Sequence, residues 1–274
     1  MNDNEIGDFW NKGFSFIENE DFQILIINTT HYHTHTPEKN IDNQCVKGKI
    51  EQGSIEEIEK YLVKNKTNKI KIMLCHHHPK QHSRAGLGEH DFIENGENLL
   101  NVLGKYEFDL VVHGHKHDPW FGNVITTDGY KIHVLSSGSF AATNQISYCY
   151  KFNYFHIVEI LKGQKTNGII NTWNFKNKIG WSNSKEGFDS VTGFGNQKSI
   201  DLIVADINEY MNGKPYVSWS DLVAKFNYLQ HLLPEESRNL LEKLKSNGYG
   251  VQDTLNSYPE IIYNNNLLRE DYGC

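Results

Sequence analysis

Short apolar runs separated by polar, glycine-bearing stretches organise the first half of the chain. Residues 22–28 read FQILIIN, an isoleucine-rich run whose length and composition suit a strand buried on both faces. Residues 54–65, SIEEIEKYLVKN, set Ile55, Ile58, Leu62 and Val63 at helical spacing, and Ser54 with Glu57 predicts a capping box. KIKIMLC at 69–75 predicts a second strand, NGENLLNVLGKY at 95–106 a second helix, and DLVVHG at 109–114 a third strand. Strand, helix, strand, helix, strand predicts an α/β sheet with crossover helices.

The pattern then changes. NVITT, KIHVLSSGS, YCYKFNYFHIVEI and GIINTWNF predict a second, more antiparallel set of strands. The fold class expected is therefore α/β, with two packed mixed β-sheets flanked by helices. From 177 to 197 the chain is rich in Gly, Asn, Ser and Lys and reads as a linker or excursion. Helical patterns follow. IDLIVADINEYM has apolar residues at 200, 203, 207, 210 and 211; SDLVAKFNYLQHL opens on an N-cap, Ser220; PEESRNLLEKLKSNG has Pro234 near its start and Gly248 just past its end. The expected organisation is a core over 1–176, a linker over 177–199 and a C-terminal helical appendage over 200–274, the last without a readable motif.

Composition narrows the function classes. A chain of 274 residues that is 38% hydrophobic can bury a core. A net charge of −7 argues against an extensive nucleic-acid surface, but not against a phosphate-bearing substrate, because bound cations bring their own positive charge. No apolar window is long enough to span a membrane, and the acidic start MNDNEIGDFW lacks the features of a secretory signal. Cys45, Cys75, Cys149 and Cys274 form no CxxC pair, so reduced thiols in a cytoplasmic protein are expected.

Fourteen histidines are many for this length, and they cluster. In VVHGHKHDPW, His115 and His117 alternate, which in an extended segment turns both to one side about 6.6 Å apart. Gly114 admits a close approach of the backbone, and His113 reads as a strand residue packed beside the site. In IMLCHHHPKQ a buried strand runs into His76, where ligands bind in open α/β sheets. His77 and His78 read as neighbours that shape the pocket, and Cys75 as buried strand. HYHTHT, with His31, His33 and His35, reads as a surface loop, a loop bordering the site or an independent metal site; His82 and His90 lie in the loop after HHHP. Asp118 is open between orienting a histidine and capping a turn.

A strand ending in HHHP, about forty residues before one ending in GHKH, with Gly138 and Ser139 after the next strand, resembles the calcineurin-like metallophosphoesterases over roughly residues 14–175. The resemblance implies a metallophosphoesterase-like sandwich and two divalent metal ions, with Mn, Fe and Zn not distinguished. It implies His76 and His115 on the second ion, His117 on the first, and a metal-activated hydroxide attacking a phosphate ester. The same family uses an Asp-x-His, a Gly-Asp-x-x-Asp and a Gly-Asn-His upstream, and none is present; Gly7-Asp8 has no matching aspartate. The chain thus reads as an N-terminally incomplete, truncated or split phosphoesterase, whose site an N-terminal segment or a partner chain would complete. Alone it is expected to hold at most one ion and to turn over poorly, and no catalytic residue beyond the ligands is identified. The alternatives are a catalytically degenerate binding or regulatory module, and an unrelated α/β protein with a mononuclear zinc site.

Overall fold

The computed structural model describes residues 2–31, 47–80, 92–115, 117–141, 153–163, 165–176, 178–183, 189–252, 258–265 and 267. His33, His35, His82, His90, Cys45, Cys149 and Cys274 lie outside the described residues. The chain divides into two compact units, Met1–Tyr154 and Phe155–Cys274.

The first unit opens with α1 (Asp3–Lys12), followed by the hairpin of β1 (Phe14–Glu18) and β2 (Phe22–Ile27). Neither α1 nor β1 is anticipated above. The helix start was legible, because Asn2 caps the Glu5 amide while the Glu5 carboxylate accepts from the Asn2 N–H. Then come β3 (Gly48–Lys49), α2 (Gln52–Lys64), β4 (Ile70–Cys75), β5 (Ile93–Glu94), α3 (Gly96–Lys105), β6 (Leu110–His113), β7 (Pro119–Ile125) and β8 (Lys131–Ser137). Helix α2 has its N-cap at Glu51, three residues before the expected Ser54, with no side-chain cap, so the expected Ser54–Glu57 capping box does not form. The Ser54 hydroxyl instead donates to the Lys12 carbonyl.

Six strands form one sheet in the order β1-β2-β4-β6-β8-β7. The inner pairs β2/β4, β4/β6 and β6/β8 are parallel, and both edges are antiparallel. Burial follows the period of two. Leu25, Ile27, Met73 and Val111 are buried, in one cluster with Ile55, Ile58 and Leu62 of α2 and Leu99, Leu100 and Leu103 of α3. Ile24, Ile26, Ile72, Leu74 and Val112, of the other parity, are only partly buried. Register brings the strand ends level: Ile27 pairs with Cys75, Cys75 with His113, and His113 with Ser136. The residues that follow each strand therefore emerge along one edge.

The second unit takes up β9 (Tyr154–Lys162) at the boundary, then β10 (Thr166–Lys176), β11 (Gly180–Ser182) and β12 (Val191–Phe194), joined in a four-stranded sheet. Of the four strands expected to form a second set, β7 and β8 instead extend the first sheet and only β9 and β10 lie here, while the segment read as a linker supplies the other two strands of this sheet, β11 and β12. Beyond lie α4 (Ile200–Tyr210), β13 (Tyr216–Ser218), α5 (Trp219–Lys225), a 3-10 turn (Asn227–His231), α6 (Pro234–Ser246), β14 (Tyr249–Gln252) and β15 (Ile261–Asn264). The region expected to be helical therefore also carries three strands, paired β13-β15-β14 into a small sheet of their own. Ile203, Ile207, Leu222, Leu229, Leu240, Leu244 and Ile262 close its core. Among the described residues the architecture is mixed α/β with several sheets and six α-helices.

Candidate metal centre

Two strand ends build the site. Strand β4 stops at Cys75 and β6 at His113, which are register partners, and just past them the Gly114 N–H donates to the His76 carbonyl at 3.0 Å. That bond ties the two loop starts together and brings His115 against His76. His115 Nδ1 lies 3.1 Å from His76 Nε2. The ring of His77 stands 4.4 Å from that of His115 and 4.8 Å from that of His76, centroid to centroid. One nitrogen from each of His76, His77 and His115 falls within a set no wider than 4.8 Å, the only such group of three histidine, cysteine or acidic donors among the described residues. Two nitrogens bonded to one tetrahedral zinc at roughly 2.0–2.1 Å are about 3.3 Å apart. At up to 4.8 Å the three-imidazole set is wider than that, so one ion would draw the rings together; His76 is exposed, His115 half-buried and His77 buried.

The backbone of the GHKH turn is strained. His115 has φ 72° and His117 φ 54°, both left-handed, a conformation that costs a non-glycine residue roughly 1 kcal/mol or more. Such strain persists where the surroundings impose it, here between the end of β6 at His113 and the start of β7 at Pro119. Alternation of His115 and His117 toward one side requires extended backbone. The left-handed turns remove that premise, and His117, expected as a ligand, is exposed and stands outside the group. His77, expected foremost to shape the pocket, stands inside it.

The neighbours are held by ordinary hydrogen bonds. His113 is buried, with its Nδ1–H donating to the Gly114 carbonyl at 3.1 Å. The Ser137 hydroxyl donates to the His113 carbonyl, and the Ser136 hydroxyl to that of Asp118. Burial pushes the Cys75 thiol well above its usual range, and its S–H donates to the His77 carbonyl; Cys75, expected to be buried, is a partly buried residue at the end of β4. Gly96, at the start of α3, lies so close to the HHHP turn that a Cβ there would stand 2.1 Å from the Pro79 carbonyl oxygen. His31 follows β2 in a turn, its N–H donating to the Asn28 carbonyl. A recess of about 610 Å³ opens at this edge, lined among others by Phe9, Asn28, Thr30, His76, Gly114 and Ser137.

A family model described as wHTH-Calcineurin_assc, a winged helix-turn-helix, matches residues 192–246. A comparison with curated proteins found no match. The match covers the segment from β12 to the end of α6. The order α4, β13, α5, α6, β14, β15 with sheet order β13-β15-β14 is that of a helix-turn-helix followed by a hairpin wing, whose tip, 253–257, lies outside the described residues. This corrects the resemblance drawn from the histidine motifs. The chain is similar over about a fifth of its length to a winged helix-turn-helix, and not to a calcineurin-like metallophosphoesterase. The segment where no motif was readable is the one with a recognisable relative.

Proposed function

We propose that the first unit is a metal-dependent hydrolase of phosphate esters, using one divalent ion held by His76, His77 and His115. The observation that carries the proposal is the convergence of three imidazole donors at the carboxyl edge of a parallel sheet, the usual place for a ligand in open α/β folds. When bound, such an ion supplies Lewis acidity and brings the pKa of water toward neutrality. The protein's part is to hold three neutral donors in a strained turn and to offer the adjoining recess, with Phe9 as an apolar wall and Asn28, Thr30 and Ser137 as polar ones. The donor set suits hydrolysis of any polarised ester. The choice of phosphate draws on the description of the matched model, which associates that winged module with calcineurin.

A second reading is a metal-bearing docking module without turnover. It is favoured by the absence of any carboxylate from the donor group among the described residues. One experiment separates the two: zinc, manganese and cobalt stoichiometry, together with release of p-nitrophenolate from bis-p-nitrophenyl phosphate. Slow turnover that needs metal and disappears in His115→Ala supports the hydrolase. One tightly bound ion without turnover supports the docking module. No bound ion defeats both.

A further inference from the structure

We propose that Thr29, with Gly48 behind the ring, is the positioning residue that makes His77 the third metal donor. It does so by holding the imidazole in its Nδ1–H tautomer and so presenting Nε2 to His76 and His115. This rests on the metal-site reading above. Three neighbouring histidines in an irregular turn have no intrinsic reason to converge, so something must select among them. Thr29 is 1% exposed and lies just past the end of β2. Its hydroxyl oxygen accepts the His77 backbone N–H at 3.2 Å and lies 2.8 Å from His77 Nδ1. Its carbonyl accepts the N–H of Lys49 at 3.0 Å, which draws β3 against the same place. There Gly48 leaves the space that the ring occupies. A Cβ on Gly48 would stand 2.6 Å from both Cβ and Cγ of His77 and 2.8 Å from Nδ1. The ring is thus fixed by a hydrogen bond on one nitrogen and by steric contact, from two segments remote in sequence. With Nδ1 engaged by Thr29, Nε2 is the atom that His77 contributes. Groups that orient a ligating imidazole through its other nitrogen typically change metal affinity about 10- to 100-fold when removed.

The test uses the full chain, zinc titration calorimetry, and nitrogen-15 imidazole spectra of the metal-free protein, with the His77 signals assigned by their loss in His77→Gln. Wild type is expected to show His77 as the Nδ1–H tautomer. Thr29→Val is expected to mix the tautomers and weaken zinc binding about 10- to 100-fold. Thr29→Ser should restore both, and Gly48→Ala, which displaces the ring while keeping the hydroxyl, should weaken binding. Unchanged zinc affinity and an unchanged His77 spectrum in Thr29→Val would overturn the assignment. Should wild type bind no zinc, the metal reading fails, and the tautomer change between wild type and Thr29→Val decides the positioning role by itself. Should Thr29→Val fail to fold, the wild-type spectrum decides: an Nε2–H tautomer at His77 overturns the proposal.

Discussion

The two units close cores of similar character and differ in what their topology does with polar residues. In the first, three successive parallel pairings put the ends of β2, β4, β6 and β8 in one row, so residues 28, 76 and 114 leave the sheet at the same edge, level with Ser137 at the end of β8. Side chains far apart in sequence meet there. In the second unit the winged portion pairs its strands antiparallel and consecutive chain reversals alternate between ends. Among the described residues its polar contacts serve the fold: the Asp206 carboxyl, held below its usual range by Lys198 and Tyr228, ties α4 to its flanks. Parallel pairing gathers loop chemistry, whereas antiparallel pairing spends its loops on turning the chain.

The largest effects expected concern which histidines belong to the first unit's edge. His76→Ala should weaken zinc binding by more than about 100-fold, whereas His117→Ala should change it by less than about threefold, as titration calorimetry would show. The reverse order would return His117 to the ligand set and erase the distinction between the compact group and its exposed neighbour.

Core truncation sharpens the contrast next. Leu244, fully buried in the winged unit, should cost about 3 kcal/mol when changed to Ala, read by urea unfolding, while zinc affinity stays within about twofold. Leu99→Ala, under the parallel sheet, should cost about as much and also weaken zinc binding, because α3 packs behind the HHHP turn. Equal loss of affinity in both variants would show that the metal edge does not belong to the first unit alone.

A smaller effect is pH-dependent. Burial, helped by nearby Lys131, pushes His133 down to about 4 in the folded first unit, where it hydrogen-bonds Asn123, against about 6.5 when unfolded. Between those values the unfolded chain binds the extra proton, so stability rises with pH and falls as pH drops through this window. The loss is on the order of 2 kcal/mol by pH 5, and the contribution is fully present above about pH 7. His133→Gln should flatten the acid limb of a stability-against-pH curve; an unchanged limb would exclude His133 as its source.

The smallest expected effect lies in the winged unit. Its third helix, α6, carries Glu235, Glu236 and Glu242 against Arg238, Lys243 and Lys245, three charges of each sign. Without a basic excess it should release few counterions, so a generic DNA duplex at physiological salt should bind more weakly than about 100 µM by fluorescence anisotropy. Tight, steeply salt-dependent binding would overturn this, and would make the second unit the functional one.

Much of the fold was legible in the sequence, for a plain reason. The isoleucine runs of β2 and β4 and the helical spacing of Ile55, Ile58 and Leu62 are local signals, and each element can be read without its partners. The strand-to-histidine junctions at His76 and at His113–His115 were legible for the same reason, since a buried strand announces where it ends. Local pattern failed wherever neighbours decide. Ser54 could cap a helix, but the chain extends α2 past it. The glycine- and asparagine-rich stretch looked like a linker, although β11 and β12 find partners in β10. Above all, alternation in GHKH assumed extended backbone, whereas His115 and His117, in the short connection from β6 to β7, adopt left-handed conformations. The sequence alone determined that histidines cluster after buried strands. Only the tertiary structure decided that His77, held by Thr29 and given room by Gly48, joins His76 and His115 while His117 does not, because side-chain direction is set by backbone angles and by contacts from residues far away in the chain.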